Sequence, residues 1–133
     1  MNYFLAKTDP EHYSIKDLER DGKTVWDGVR NPQAVQAIRQ MKRGDIVLIY
    51  HSQGQAAVVG LAKVVSESRP DQTEPKSWVV DFQFLENLVN PVTLKEIKAS
   101  GKFNDLALVR QSRLSTMLVP ESFVAWVKEK GTD

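Results

Sequence analysis

The chain contains no cysteine, only two histidines and almost no net charge: 18 basic residues stand against 17 acidic ones, leaving +1. Each shortage excludes something. Without cysteine there is no disulfide, no thiolate zinc site and no cysteine nucleophile. His12 and His51 lie far apart and lack a His-x-Glu or Cys-x-x-Cys companion, which disfavours a zinc centre. The balanced charge argues against a protein that wraps long stretches of duplex, because that needs a strong positive surplus. No apolar run approaches the ~20 residues that span a bilayer, so no membrane partner is expected. Residues 1–10 lack the charged start and apolar stretch of a signal peptide, and a cytoplasmic protein is the expectation. Neither a Gly-x-Gly-x-x-Gly nor a Walker pattern is present, and no cofactor is expected.

What is present is an ordinary globular composition, 41% hydrophobic and 26% charged, in 133 residues. That length and balance predict one domain over residues 1–133 with a substantial core. Tyr3 to Ala6 reads as a first strand. Ser14 to Asp17 has the form of a capping box, opening a helix that ends near Gly22. Asn31-Pro32 starts a second helix with Ala34, Val35, Ile38 and Met41 on one face, and Gly44-Asp45 reads as the turn that follows it. Ile46 to Tyr50 is apolar on both faces, as a central strand is. Ala56 to Val65 is another strand, and Gly60 within it marks a bulge or a close backbone approach.

Arg69 to Lys76 reads as an exposed loop. Ser77 to Leu85 follows as a long strand with Trp78, Val80, Phe82 and Phe84 alternating onto one face. Thr93 to Glu96 is a second capping box, for a helix ending near Gly101. Asn104 is placed as the cap of a short turn through Arg110. Leu114 to Val119 and Pro120 to Lys130 complete the order as a strand and a closing helix. The sequence of elements predicts a compact α+β sheet or small barrel, and not a doubly wound parallel fold.

The segment Trp26-Asp27-Gly28-Val29-Arg30-Asn31 carries the chemistry. Trp gives a stacking face, Arg a rigid fork of donors and Asn a donor–acceptor pair, the groups that read a nucleobase outside its stack. Each has a plainer reading. Trp26 also suits a core, Asn31 before Pro32 is a good N-cap, and Arg30 sits where it can join a helix N-terminus in binding phosphate. Tyr50 and Ser52 share one face of a strand end with His51 opposite, and Tyr50 is equally a core ring. Trp78 reads as core or rim. His51 and Ser52 point apart on a strand, so they form no nucleophile–base pair, and no carboxylate pair stands out. No enzyme is expected.

Together with Lys7-Thr8-Asp9-Pro10, Met41-Lys42-Arg43-Gly44-Asp45, Tyr50-His51-Ser52, Val59-Gly60 and Arg113-Leu114-Ser115, that segment resembles the EVE domain in order and separation. Asp9 stands where the family pattern has Glu. The resemblance implies a PUA-like mixed-strand α+β pseudobarrel with flanking helices, related to the YTH readers of methylated adenine. It further implies a non-enzymatic reader of a modified nucleobase, above all modified cytosine in DNA, held in an aromatic pocket. On that reading the ligand residues are Trp26, Arg30, Asn31, Tyr50, His51, Ser52, Trp78, Arg113 and Ser115. The partner is nucleic acid with a short footprint, with a further protein supplying any effector activity. The alternatives are an RNA-binding module of the same fold and a nucleoside or metabolite sensor.

Overall fold

The fold is a computed structural model that describes residues 1–132. The first strand, β1 (Tyr3–Thr8), leads into helix α1 (Ile15–Asp21). The predicted capping box opens α1: the Ser14 side chain accepts from Asp17 N–H, and the Asp17 carboxylate accepts from Ser14 N–H. Gly22 closes the helix at φ 76°, a conformation that a β-carbon opposes. The chain then forms a short strand, β2 (Lys23–Trp26), that periodicity did not reveal, because four residues are too few for alternation to show.

Helix α2 (Pro32–Gln40) is capped by Asn31, whose Oδ1 accepts from Gln33 and Ala34 N–H, and it buries Ala34, Val35 and Ile38 as predicted. The turn after it is tied by buried Asp45, which accepts from Asn2 N–H at 3.0 Å and Lys42 N–H at 2.9 Å. Strands β3 (Ile46–His51) and β4 (Ala57–Val64) follow. Within the expected loop, Arg69–Pro70 form a two-residue strand, β5, paired with the start of β6.

Strand β6 (Trp78–Thr93) runs far past the expected end at Leu85. Its pairing with β4 shifts register twice, and Pro91 falls in the irregular stretch between the Val58–Val92 and Gly60–Asn87 pairs. There its missing N–H costs no ladder bond. The chain ends with α3 (Leu94–Ser100), α4 (Ala107–Arg110), β7 (Thr116–Val119) and α5 (Glu121–Gly131). The second capping box, Thr93 with Glu96, forms as expected. Asn104 does not cap α4, whose N-cap is Leu106 and which has no side-chain cap. Instead the Asn104 carbonyl accepts from Arg110 Nε.

The strand order is β2-β6-β4-β3-β1-β7, with only β1 and β3 parallel. The expected mixed-strand α+β architecture is therefore what forms, and its hydrogen-bonded path stays open between the edges β2 and β7. Helix α2 packs on both β7 and β6 and so covers the interior of the curled sheet. Phe4, Phe82 and Phe123 are fully buried at the centre of the core. Among the described residues no helix is long and apolar enough to cross a membrane.

Gly60 fixes where α1 lies. A β-carbon there would come within 2.6 Å of the Glu86 carbonyl oxygen and 2.7 Å of Ile15 Cδ1. The bulge and the close approach, expected at this glycine as alternatives, coincide. Because one obstacle is backbone, Gly60→Ala is expected to cost about 1–3 kcal/mol of stability, read as a fall in the urea midpoint.

Candidate functional site: a cleft at the open seam

Parallel pairing brings the C-terminal ends of β1 and β3 out side by side, with Thr8 opposite His51. At that end of the sheet lies a cleft of about 620 Å³. Its walls are Lys7, Thr8 and Asp9 from the end of β1, His12 and Tyr13 from the following turn, Thr24 to Val29 from β2 and beyond, and Ser115 just before β7. The β2 edge thus faces the end of β1 and the entry to β7 across it.

The turn that forms one wall is held by its own bonds. The Asp9 carbonyl accepts from His12 and Tyr13 N–H, and Asp9 Oδ1 accepts from Glu11 N–H. Thr8 Oγ1 donates to the Tyr13 carbonyl at 2.7 Å. The Tyr13 hydroxyl donates to Asp21 at 2.9 Å, and burial pushes its pKa up. The Asp21 carboxyl is held below its usual range, first by its bond from Arg20.

Trp26 forms the aromatic back of the cleft and is only 7% exposed. Phe82 covers it at 4.9 Å with planes tilted 31°, and Tyr13 meets it edge-on at 6.3 Å. The indole is therefore core and wall at once. The cleft exposes its rim and not a free stacking face.

Lys7 is the cation of the cleft. Its Nζ donates to the Ser112 carbonyl at 3.0 Å and lies 5.5 Å from the centre of the Tyr50 ring. Burial lowers its pKa. The carboxylates of Asp9 and Asp27 share the lining with it.

The EVE domain matches residues 2–130. The chain belongs to the EVE domain family. It is similar to rat thymocyte nuclear protein 1, at 34% identity over 92% of this chain and 70% of the relative. Among solved structures it is similar to protein Atu2648 of Agrobacterium tumefaciens, with a TM-score of 0.93 and 36% identity over 98% of this chain and 93% of that one. It is also similar to human THYN1 protein in complex with 5-methylcytosine-containing DNA, with a TM-score of 0.91 and 26% identity over 100% and 99% of the two chains.

The EVE fold distributes the expected site residues unevenly. Trp26 and Ser115 line the seam cleft. Asn31 and Arg113 meet instead in an adjoining groove of about 320 Å³, with Arg110, Gln111, Ser112 and Leu114. Segment 112–115 divides the two, gripped by Lys7 on the cleft side. Arg30 points away into an ion pair with Glu74 at 3.1 Å. Arg113, by contrast, is exposed and has no ion-pair partner among the described residues.

Tyr50, His51 and Ser52 support the cleft from behind. Tyr50 is buried under Lys7. His51 Nε2 accepts from Ile15 N–H at 3.1 Å, and Ser52 Oγ and N–H both donate to the Thr8 carbonyl. Trp78 stacks under the Arg39 guanidinium at 4.6 Å and lines none of these grooves. The residues that sequence reasoning left out are chiefly Lys7, Tyr13, Thr24 and Asp27. The signal for Lys7 was already in the Lys7–Pro10 segment, but without β2 nothing put that segment beside Trp26.

His51 ties this geometry to pH. It accepts through Nε2 and so must be neutral, and burial lowers its pKa below the ordinary histidine value. The unfolded chain therefore takes up the proton first. This contribution is complete above about pH 6.5 and is lost as pH falls below it toward the folded value. Between pH 7 and pH 5.5 the urea midpoint should fall more for the wild type than for His51→Gln, whose amide oxygen can still accept the bond.

Proposed function

We propose that this EVE domain binds a modified cytosine, 5-methylcytosine in DNA above all, without turnover, and that the base enters the seam cleft. The nucleotide is taken from a single strand or extruded from a duplex. The observation that carries this reading is the lining of the cleft: one aromatic wall, one cation and two carboxylates within about 620 Å³. That volume suits a small ligand. The carboxylates of Asp9 and Asp27 repel a phosphate but can accept from a base's amino group. The cleft thus favours a neutral heterocycle over a nucleotide's charged part. The DNA complex of the THYN1 relative, matched along the whole chain, supports the same ligand class.

In this reading Trp26 and Ser115 touch the base, and the phosphate next to it lies toward Arg113 and Asn31 in the adjoining groove. Tyr50, His51 and Ser52 hold the floor. Arg30, engaged with Glu74, and Trp78, under Arg39, act only at the periphery. Extruding a base costs a few kcal/mol, and stacking on an aromatic ring returns ~1–3 kcal/mol. With one face of Trp26 covered by Phe82, less of that return is available. Polar contacts to the base edge must supply the rest. A protein partner supplies whatever effector activity follows binding.

Titration of intrinsic tryptophan fluorescence with short DNA strands tests the proposal. One strand carrying 5-methylcytosine should quench saturably and more tightly than its unmodified counterpart. Arg113→Ala should weaken both strands alike and lower the salt slope of binding by about 1. Flat curves with folded protein would remove the reading.

A further inference from the structure

The pairing of β2 with β6 leaves one residue of the cleft with its main chain unused. Phe84 N–H donates to the Gly22 carbonyl at 2.8 Å, and the same register pairs Thr24 with Phe82 and Trp26 with Val80. In an antiparallel ladder, hydrogen-bonded pairs alternate with non-bonded ones. Gly22, Thr24 and Trp26 therefore turn their N–H and C=O groups toward β6, and Val25 turns both of its own outward. The partner strand agrees. Asp81, opposite Val25, donates its N–H to Ser66 Oγ and accepts from Val65 N–H, both on the side away from β2.

Val25 N–H and C=O have no hydrogen-bond partner among the described residues. The residue lines the seam cleft and is 48% exposed. A donor and an acceptor of one extended residue point the same way and lie side by side. We propose that this pair reads the hydrogen-bonding edge of the bound base, a reading that rests on the base-binding function above. Val25 N–H donates to N3 of cytosine, and Val25 C=O accepts from the N4 amino group. The edge is too short to add a peptide strand, since β2 has four residues and only Lys23 and Val25 face outward. One donor–acceptor pair is what a single base needs.

The contact makes a discrimination that a 5-methyl pocket alone cannot make. Thymine carries the same methyl group as 5-methylcytosine. In the same orientation it presents N3–H to the Val25 N–H and O4 to the Val25 C=O, so both contacts become repulsive. Unmodified cytosine keeps the edge and loses only the methyl contact.

The test compares three single-stranded DNA probes that differ at one position, carrying 5-methylcytosine, cytosine or thymine. The wild type should bind 5-methylcytosine at least about tenfold more tightly than thymine. Val25→Ala, which keeps the N–H, should retain that preference. Val25→Pro lacks the N–H at an edge position where proline is tolerated, and should lower 5-methylcytosine affinity about tenfold, toward that of thymine. Equal binding of 5-methylcytosine and thymine by the wild type would overturn the inference while leaving the base reading standing. So would a proline variant that keeps the preference, or an alanine variant that loses it. Failure of every probe to bind would remove both. If the proline variant does not fold, the Val25 amide proton of the wild type carries the test. It should shift downfield with the 5-methylcytosine strand, and an unmoved signal would overturn the inference.

Discussion

The open seam between β2 and β7 is the constraint on which the rest of the molecule turns. A curled sheet that closed completely would have its ladder satisfied and its interior filled by side chains. Here the path stops at two edges, and α2 covers the interior by packing on β7 and β6. What remains between the edges is a cleft whose walls are strand ends and tight turns. The parallel pairing of β1 and β3 is part of the same design, since it delivers Thr8 and His51 to one end of the sheet.

Support for this opening comes from residues that never face it. Gly60 lets Ile15 sit against the sheet, and Ile15 N–H is held by His51. The helix thus placed carries the turn with Tyr13, which meets the edge of Trp26. Trp26 in turn rests on Phe82 of β6. A ligand wall that is also core is rigid, and a rigid wall avoids the ordering cost of a flexible loop at binding. In the proposed reading, recognition therefore shifts from ring faces to polar edges. The near-neutral chain and the mixed charges of the cleft fit a ligand recognised by its heterocycle, with phosphate contacts confined to the neighbouring arginines.

Much of the fold was legible in the sequence because local rules and tertiary packing agree. Both capping boxes, the Asn31 cap, the buried face of α2 and the alternation along Trp78 to Phe84 all stand as read. What escaped was set by partners distant in sequence. Four residues of β2 have no period of their own, and β6 continues past Glu86 only because β4 follows it through two register shifts. The site was half legible for the same reason. Residue chemistry singled out Trp26, and only the family resemblance pointed to Ser115. It also promoted Arg30 and Trp78, whose engagement with Glu74 and Arg39 is written nowhere in their neighbourhood. The unsatisfied main chain of Val25 has no residue-type signature at all. Only the ladder shows it.

The most direct measurement of the account is backbone and indole NMR of the labelled domain as a short 5-methylcytosine strand is added. The account predicts that shifts concentrate on Lys7, Tyr13, Val25, Trp26 and Ser115, with weaker changes at Arg113 and almost none at Trp78. Shifts centred on the Arg39–Trp78 face, or spread evenly over the surface, would contradict it.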